Sequence, residues 1–260
     1  MNVLEYEMVD ILKKLKNEYG VIEIKAEYEN EGSRADELMR LKDVVSKVDL
    51  PILVKIGGVE AVSDMYNAIT LGVGGIVAPM AETRFAVSKF THSIETFVAD
   101  DNRKDIDFAV NIETITAYKN LDDILLLPSL HALSGVTVGR VDFTASMDKD
   151  RSFANSETML HYCKSIFERA KRHQLICGLG GAVSPESEHF IQELIQANLL
   201  DKYETRKVVY DQSGIENFSE GILLGIQFEL LWLKSKRRYY HRIKSEDERR
   251  IEMLQARLNS

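Results

Sequence analysis

Short apolar runs alternate with longer amphipathic ones from residue 21 to residue 211, and this alternation constrains the chain more than any other feature. Runs rich in β-branched residues read as strands at 21–29, 51–58, 75–82, 107–114, 135–142, 174–181 and 207–211. The stretches between them carry apolar residues at helical spacing. In 33–48, for example, Leu38, Leu41, Val44, Val45 and Val48 share one face. Parallel strands need crossovers of this length, and helices supply them. The pattern predicts a TIM-type (β/α)8 barrel. Seven strands are legible where a closed barrel needs eight. The missing one is expected in "MNVLEYE", before a helix at 8–20, as a weak or vestigial first strand. An open doubly wound sheet is the alternative, but no GxGxxG follows an early strand.

From Ser219 the pattern changes to one long proline-free helix, apolar in its first half and highly charged in its second. This divides the chain into a barrel domain, 1–218, and a helical extension, 219–260. Leu223, Leu224, Ile226, Leu230, Leu231 and Trp232 are too many apolar groups for one solvated face, and Ile243, Ile251, Leu254 and Leu258 continue a sparse stripe. A homo-oligomer built through the extension is expected, with a solvated terminal helix as the plainer alternative.

Composition narrows the partners. The formal net charge of −8 disfavours a nucleic-acid backbone, although "KSKRRYYHRIK" at 234–244 is locally basic. Cys163 and Cys177, the two cysteines, form no CxxC pair, so neither a zinc site nor a disulfide framework is indicated. No secretory leader or membrane-length apolar run is legible, and a cytoplasmic location is expected.

A βα barrel does its chemistry at the carboxyl ends of its strands. The polar residues there are Lys25, Glu27, Glu29 and Asn30; Lys55; Glu82; Asn111 and Glu113; Arg140 and Asp142; and Asp211 and Gln212. A carboxylate after a strand is often a helix N-cap, which is the first reading for Glu29 and an even alternative for Glu82. Glu113 and Asp142 differ, because they end consecutive strands and would stand side by side. Two such carboxylates repel each other, and a divalent cation, Mg2+ or Mn2+, removes that cost. A structural ion pair between Arg140 and Asp142 is the competing reading. Lys25 and Lys55 are alternative Schiff-base nucleophiles, although an ion pair of Lys25 with Glu23 or Glu27 would disable the first.

"NIET" (111–114) and "VGRVDFTAS" (138–146), with "ILVKIGG", "LGVGGIVAPMAET" (71–83) and "GVIEIKAEYEN" (20–30), resemble the HpcH/HpaI aldolase and citrate lyase β-subunit family over residues 8–215. The resemblance implies a barrel of the phosphoenolpyruvate/pyruvate class, with Glu113 and Asp142 holding the metal and backbone amides around Gly139 holding the substrate. It implies carbon–carbon lyase or aldolase chemistry on a 2-keto acid, through a pyruvate or oxaloacetate enolate. The chain departs from the family where Lys55 replaces an arginine, Asn30 a histidine and Arg140 a proline. Lys55 is then expected to contact the keto acid, Arg140 a carboxylate or phosphate, and Glu27 to serve as general base, with Asn30 beside the substrate. An acyl-thioester lyase and a non-catalytic scaffold on the same fold are the alternatives.

Overall fold

The computed structural model describes residues 1–258; the last two residues of the extension expected at 219–260 lie outside the described residues. Eight strands close a barrel in the order β1 to β8: Val21–Glu27, Ile52–Lys55, Gly75–Ala78, Asp107–Ile112, Gly135–Gly139, Ile176–Gly180, Lys202–Glu204 and Val208–Asp211. Ten helices surround it: α1 Val3–Glu18, α2 Ala35–Ser46, α3 Val62–Leu71, α4 Arg84–Phe97, α5 Ile115–Lys119, α6 Leu121–Leu125, α7 Arg140–Ala145, α8 Glu157–Arg172, α9 Glu188–Gln196 and α10 Phe218–Leu258. No helix among the described residues is long and apolar enough to cross a membrane.

The barrel closes as expected, but its eighth strand is not where the sequence suggested. "MNVLEYE" is no strand: the Asn2 side chain accepts from the Glu5 amide, the Glu5 side chain accepts from the Asn2 amide, and helix α1 begins at once. The unforeseen strand is β7, Lys202–Glu204. It forms a hairpin with β8, which runs antiparallel to both β7 and β1. Asp211 and Gln212 therefore lie at the opposite rim from the carboxyl ends of β1 to β7, a correction to their expected place. The Asp211 amide donates to Gly20 O, at the entry to β1, and Gln212 Nε2 donates to Leu200 O.

Most of the apolar core lies between the barrel wall and its helices. The lumen holds a small plug of Leu53, Val77, Ala109 and Val209. The rest of the lumen is charged. Glu23 pairs with Lys202 at 3.0 Å, and Lys25 pairs with Glu204 at 2.5 Å and Glu27 at 3.1 Å. Pairing of this kind offsets much of the cost of burying these charges.

Because β8 runs away from the carboxyl ends of β1 to β7, α10 starts at the far end and returns along α1. Its 41 residues span about 60 Å at ~1.5 Å per residue. Ile222, Phe228, Leu231 and Trp232 are buried, and Ser235 bonds to Asn2 and Glu5 at the start of α1. Tyr240 donates to Glu37 of α2.

Candidate active site

At the carboxyl ends of β1 to β7 a cavity of about 320 Å3 opens. Glu113, just past β4, forms its floor with Asp142, Lys55 and Asn111. The chain after β3 turns through a left-handed residue, Met80 at φ 52°, whose amide then donates to Glu113 Oε1 at 2.9 Å. Asn111 Nδ2 donates to Glu113 Oε2 at 3.0 Å. The carboxylate is thus fixed from both sides, with one lone pair of each oxygen left free. Burial raises the Glu113 pKa, and the nearby Asp142 charge adds to this, against the opposing Met80 amide and Lys55 ammonium. Strand β5 stops at Gly139, so Asp142 stands in the first turn of α7 rather than on the strand. Asp142 lines the cavity, and its carboxylate has no hydrogen-bonded partner among the described residues.

Gly139 is required by close approach. A Cβ there would meet Glu113 Oε2 at 2.5 Å. The loop after β6 turns through two left-handed residues where it lines the cavity: Gly181 (φ 77°), at no cost to a glycine, and Ala182 (φ 56°), which is strained.

Lys55 pairs with Glu29 at 2.6 Å, so Glu29 is an ion-pair partner rather than the helix cap expected for it. Glu82 accepts from the Thr114 hydroxyl, outside the cavity, and Thr83 caps α4 instead. Burial alone would lower the Lys55 pKa, but Glu27, Glu29 and Glu113 outweigh it and hold it raised. Lys25 is raised in the same way by Glu204 and Glu27 against burial. Neither amine is near the neutral form a Schiff base requires. Burial would raise Glu27, but Lys25 and Lys55 outweigh it and leave its pKa low. A carboxylate so held makes a weak base, and it fits better as the partner that fixes both lysines.

Arg140 is a correction. It is wholly buried and does not face the cavity. Its guanidinium donates to Gly180 O, Ala154 O and Asn155 Oδ1, and lies over the Phe190 ring. This geometry leaves it neither the ion pair with Asp142 nor the substrate contact. Burial lowers its pKa to about 10. Asn30 lies at the cavity rim, exposed.

Several lining residues were not singled out from the sequence, among them the charged Glu204, paired with Lys25, and three others. Glu229 of α10, Arg151 and Arg206 of the β7–β8 turn all face the cavity. Burial raises the Glu229 pKa, with Lys207 and Arg206 opposing and Glu31 and Glu27 adding to the rise. An unpaired acid in a charged cluster was a usable signal only if the path of α10 were known.

Residues 34–194 match the family model described as HpcH/HpaI aldolase/citrate lyase. No curated protein matches the sequence. The structure is similar to that of an HpcH/HpaI aldolase from Desulfitobacterium hafniense, 12% identical, covering 85% of this chain and 89% of that one, with a TM-score of 0.60. It is similar to the citrate synthase SbnG, 14% identical over 85% and 89% with a TM-score of 0.60. An aldolase/citrate lyase family protein from Burkholderia cenocepacia covers 92% of this chain and 90% of its own, at 11% identity and a TM-score of 0.59. At such identities the likeness to the solved structures is one of fold.

Proposed function

Because the chain belongs to the HpcH/HpaI aldolase/citrate lyase family, we propose that its cavity makes or breaks a carbon–carbon bond beside the keto group of a 2-keto acid such as pyruvate or oxaloacetate, with Mg2+ or Mn2+. The observation that carries this reading is the pair Glu113 and Asp142. Two carboxylates share one cavity wall, one fixed by Met80 and Asn111 with lone pairs to spare, the other without a partner. Among the described residues no three His, Cys, Asp or Glu side chains converge as a complete cage. A two-carboxylate donor set is what a hard cation takes when water and substrate oxygens complete its shell. Glu113 and Asp142 would hold that cation, which when bound would polarise the keto group and stabilise enolate charge.

The chain's own residues then divide the remaining work. Lys55, held as a cation by Glu27 and Glu29, supplies a fixed positive charge beside the keto acid. Of the five carboxylates lining the cavity, Glu27 and Glu204 are committed to Lys25, and Glu113 and Asp142 form the pair. Glu229 remains, and its raised pKa suits a proton carrier. In condensation it takes a proton from the carbon next to the keto group. That carbon then bonds to the acceptor carbonyl carbon, and Glu229 returns the proton to the resulting alkoxide. Cleavage reverses these transfers.

Exchange of the pyruvate methyl protons in D2O, followed by NMR with Mn2+ or Mg2+, tests the reading. Glu113→Gln should abolish cation binding and exchange while the barrel stays folded. Glu229→Gln should keep the cation and slow exchange about a hundredfold. A wild-type protein that binds no cation and exchanges no protons would end the proposal.

The outward residues of α10 support a second element of the reading, a homo-oligomer. Leu223, Leu230 and Leu233 recur at coiled-coil spacing and are each about half exposed, while Ile226 of the same stripe lines the cavity.

A further inference from the structure

Arg140 is wholly enclosed by the protein, yet its guanidinium bonds to no carboxylate. Its three acceptors are neutral: Gly180 O at 3.3 Å, Ala154 O at 3.1 Å and Asn155 Oδ1 at 2.7 Å. Nη2 has no partner among the described residues. Burying a cation without a counter-charge is costly. What the guanidinium fastens together is therefore the point of interest.

It fastens one wall of the cavity. Gly139, Val141 and Asp142 line that wall at the end of β5, and residues 180–183 line it at the end of the neighbouring β6. The backbone of Arg140 belongs to the first segment, and its side chain bonds to the second at Gly180 O. A longer route reaches the same segment. Asn155 Oδ1 also accepts from the Ser187 hydroxyl, which is shared with Ala182 O, each at 3.2 Å.

The two segments are in close contact. A Cβ on Gly181 would stand 2.7 Å from the amide nitrogens of both Arg140 and Val141. On the other side, Gly139 lies against the Glu113 carboxylate. The first turn of α7 is thus packed between β4 and the loop after β6. Arg140 holds it from behind, with the Phe190 ring of α9 under the guanidinium at 4.7 Å. No hydrogen bond among the described residues holds the Asp142 carboxylate itself, so the placement of this turn decides where it stands.

We infer that Arg140 is a positioning residue for the cation pair: from outside the cavity it fixes the first turn of α7, so that Asp142 faces Glu113 across the floor. This rests on the metal reading of Glu113 and Asp142. The effect passes through the backbone of one helical turn, since the guanidinium touches neither carboxylate.

Mn2+ affinity of the full chain, read from the free Mn2+ signal in electron paramagnetic resonance, tests the inference without catalysis. The wild type should bind Mn2+, and folded Arg140→Met should bind it about tenfold more weakly. Arg140→Lys keeps a donor and should recover part of the loss. Asn155→Ala removes one acceptor and should weaken Mn2+ about threefold, while adding little to Arg140→Met in the double variant. Melting curves show that folded proteins are being compared. A role in stability alone would lower the melting midpoint and leave the affinity of the folded protein unchanged. That result in Arg140→Met overturns the inference, as do additive losses in the double variant. If Arg140→Met does not fold, Arg140→Lys and Asn155→Ala decide, and wild-type affinity in both overturns it. A wild type that binds no Mn2+ ends the metal reading and this inference with it. Wild-type binding with unaffected variants removes the inference alone.

Discussion

Gly139 shows how little room the floor has. Its missing side chain leaves space that the Glu113 carboxylate occupies, with Glu113 Cβ only 2.9 Å from where an alanine Cβ would stand. Gly139→Ala should cost at least about tenfold in cation affinity, measured by titration, with circular dichroism unchanged. Lys55 acts as charge in this reading, so Lys55→Arg should retain part of the exchange activity and Lys55→Met should lose most of it. Borohydride with pyruvate should leave the wild-type mass unchanged. Glu27 carries the pH signature. Its folded pKa lies below its ordinary value near 4.5, so its stabilising contribution is complete above that value and disappears as pH falls through the folded pKa. Glu27→Gln should flatten the acid limb of urea midpoints measured between about pH 6 and about pH 3. Glu113, Asp142 and Lys55 were legible as strand-end residues that line one cavity, and Gly139 came from the family resemblance. The inward turn of Arg140 was not, because its three acceptors belong to Gly180, Ala154 and Asn155. Nothing in "VGRVD" reveals them.

At the scale of elements, Arg140 ties the entry to α7, the turn that carries Arg151 and the end of β6. Arg140→Met removes a donor from Gly180 O, Ala154 O and Asn155 Oδ1, of which Asn155 Oδ1 keeps the Ser187 hydroxyl. It should lower stability by about 2–4 kcal/mol in chemical denaturation, with the lost charge-assisted bonds partly offset by removal of a buried charge. The seven visible strands and their crossover helices followed from periodicity alone. The eighth was hidden because β7 is three residues long and its lumen-facing residues, Lys202 and Glu204, are charged. Apolar periodicity cannot register a strand whose inner face is satisfied by ion pairs. The first helix was legible after all. Asn2 and Glu5 form a capping box, a helix-start signal at the place where a vestigial strand was expected to complete the eight.

For the molecule as a whole, α10 sets the question of assembly. A cut after Lys234, the boundary suggested by composition, would sever Ser235, Lys236 and Tyr240 from α1 and α2. Truncation after His241 is the cleaner test. Light scattering should give a homo-oligomer for the full chain at micromolar concentration and a weaker assembly for the truncated one, with the barrel's melting transition retained. A full-length monomer would exclude the α10 contact. Leu230→Glu with Leu233→Glu should act in the same direction, since burying each of these leucines in a partner contributes roughly 1.5–3 kcal/mol at most.

The lumen pairs Lys25–Glu204 and Lys202–Glu23 each join residues 179 positions apart, and both bridge β1 to β7 across the reversed β8. The β7–β8 hairpin forms locally, whereas the meeting of β1 with the far end of the chain requires nearly the whole barrel to be in place. We expect these charges to meet late, once the wall has ordered. Breaking one, as in Glu204→Gln, should leave the refolding rate nearly unchanged and speed unfolding in stopped-flow experiments. Kinetic persistence of the closed barrel would then rest on the lysines and glutamates of its lumen.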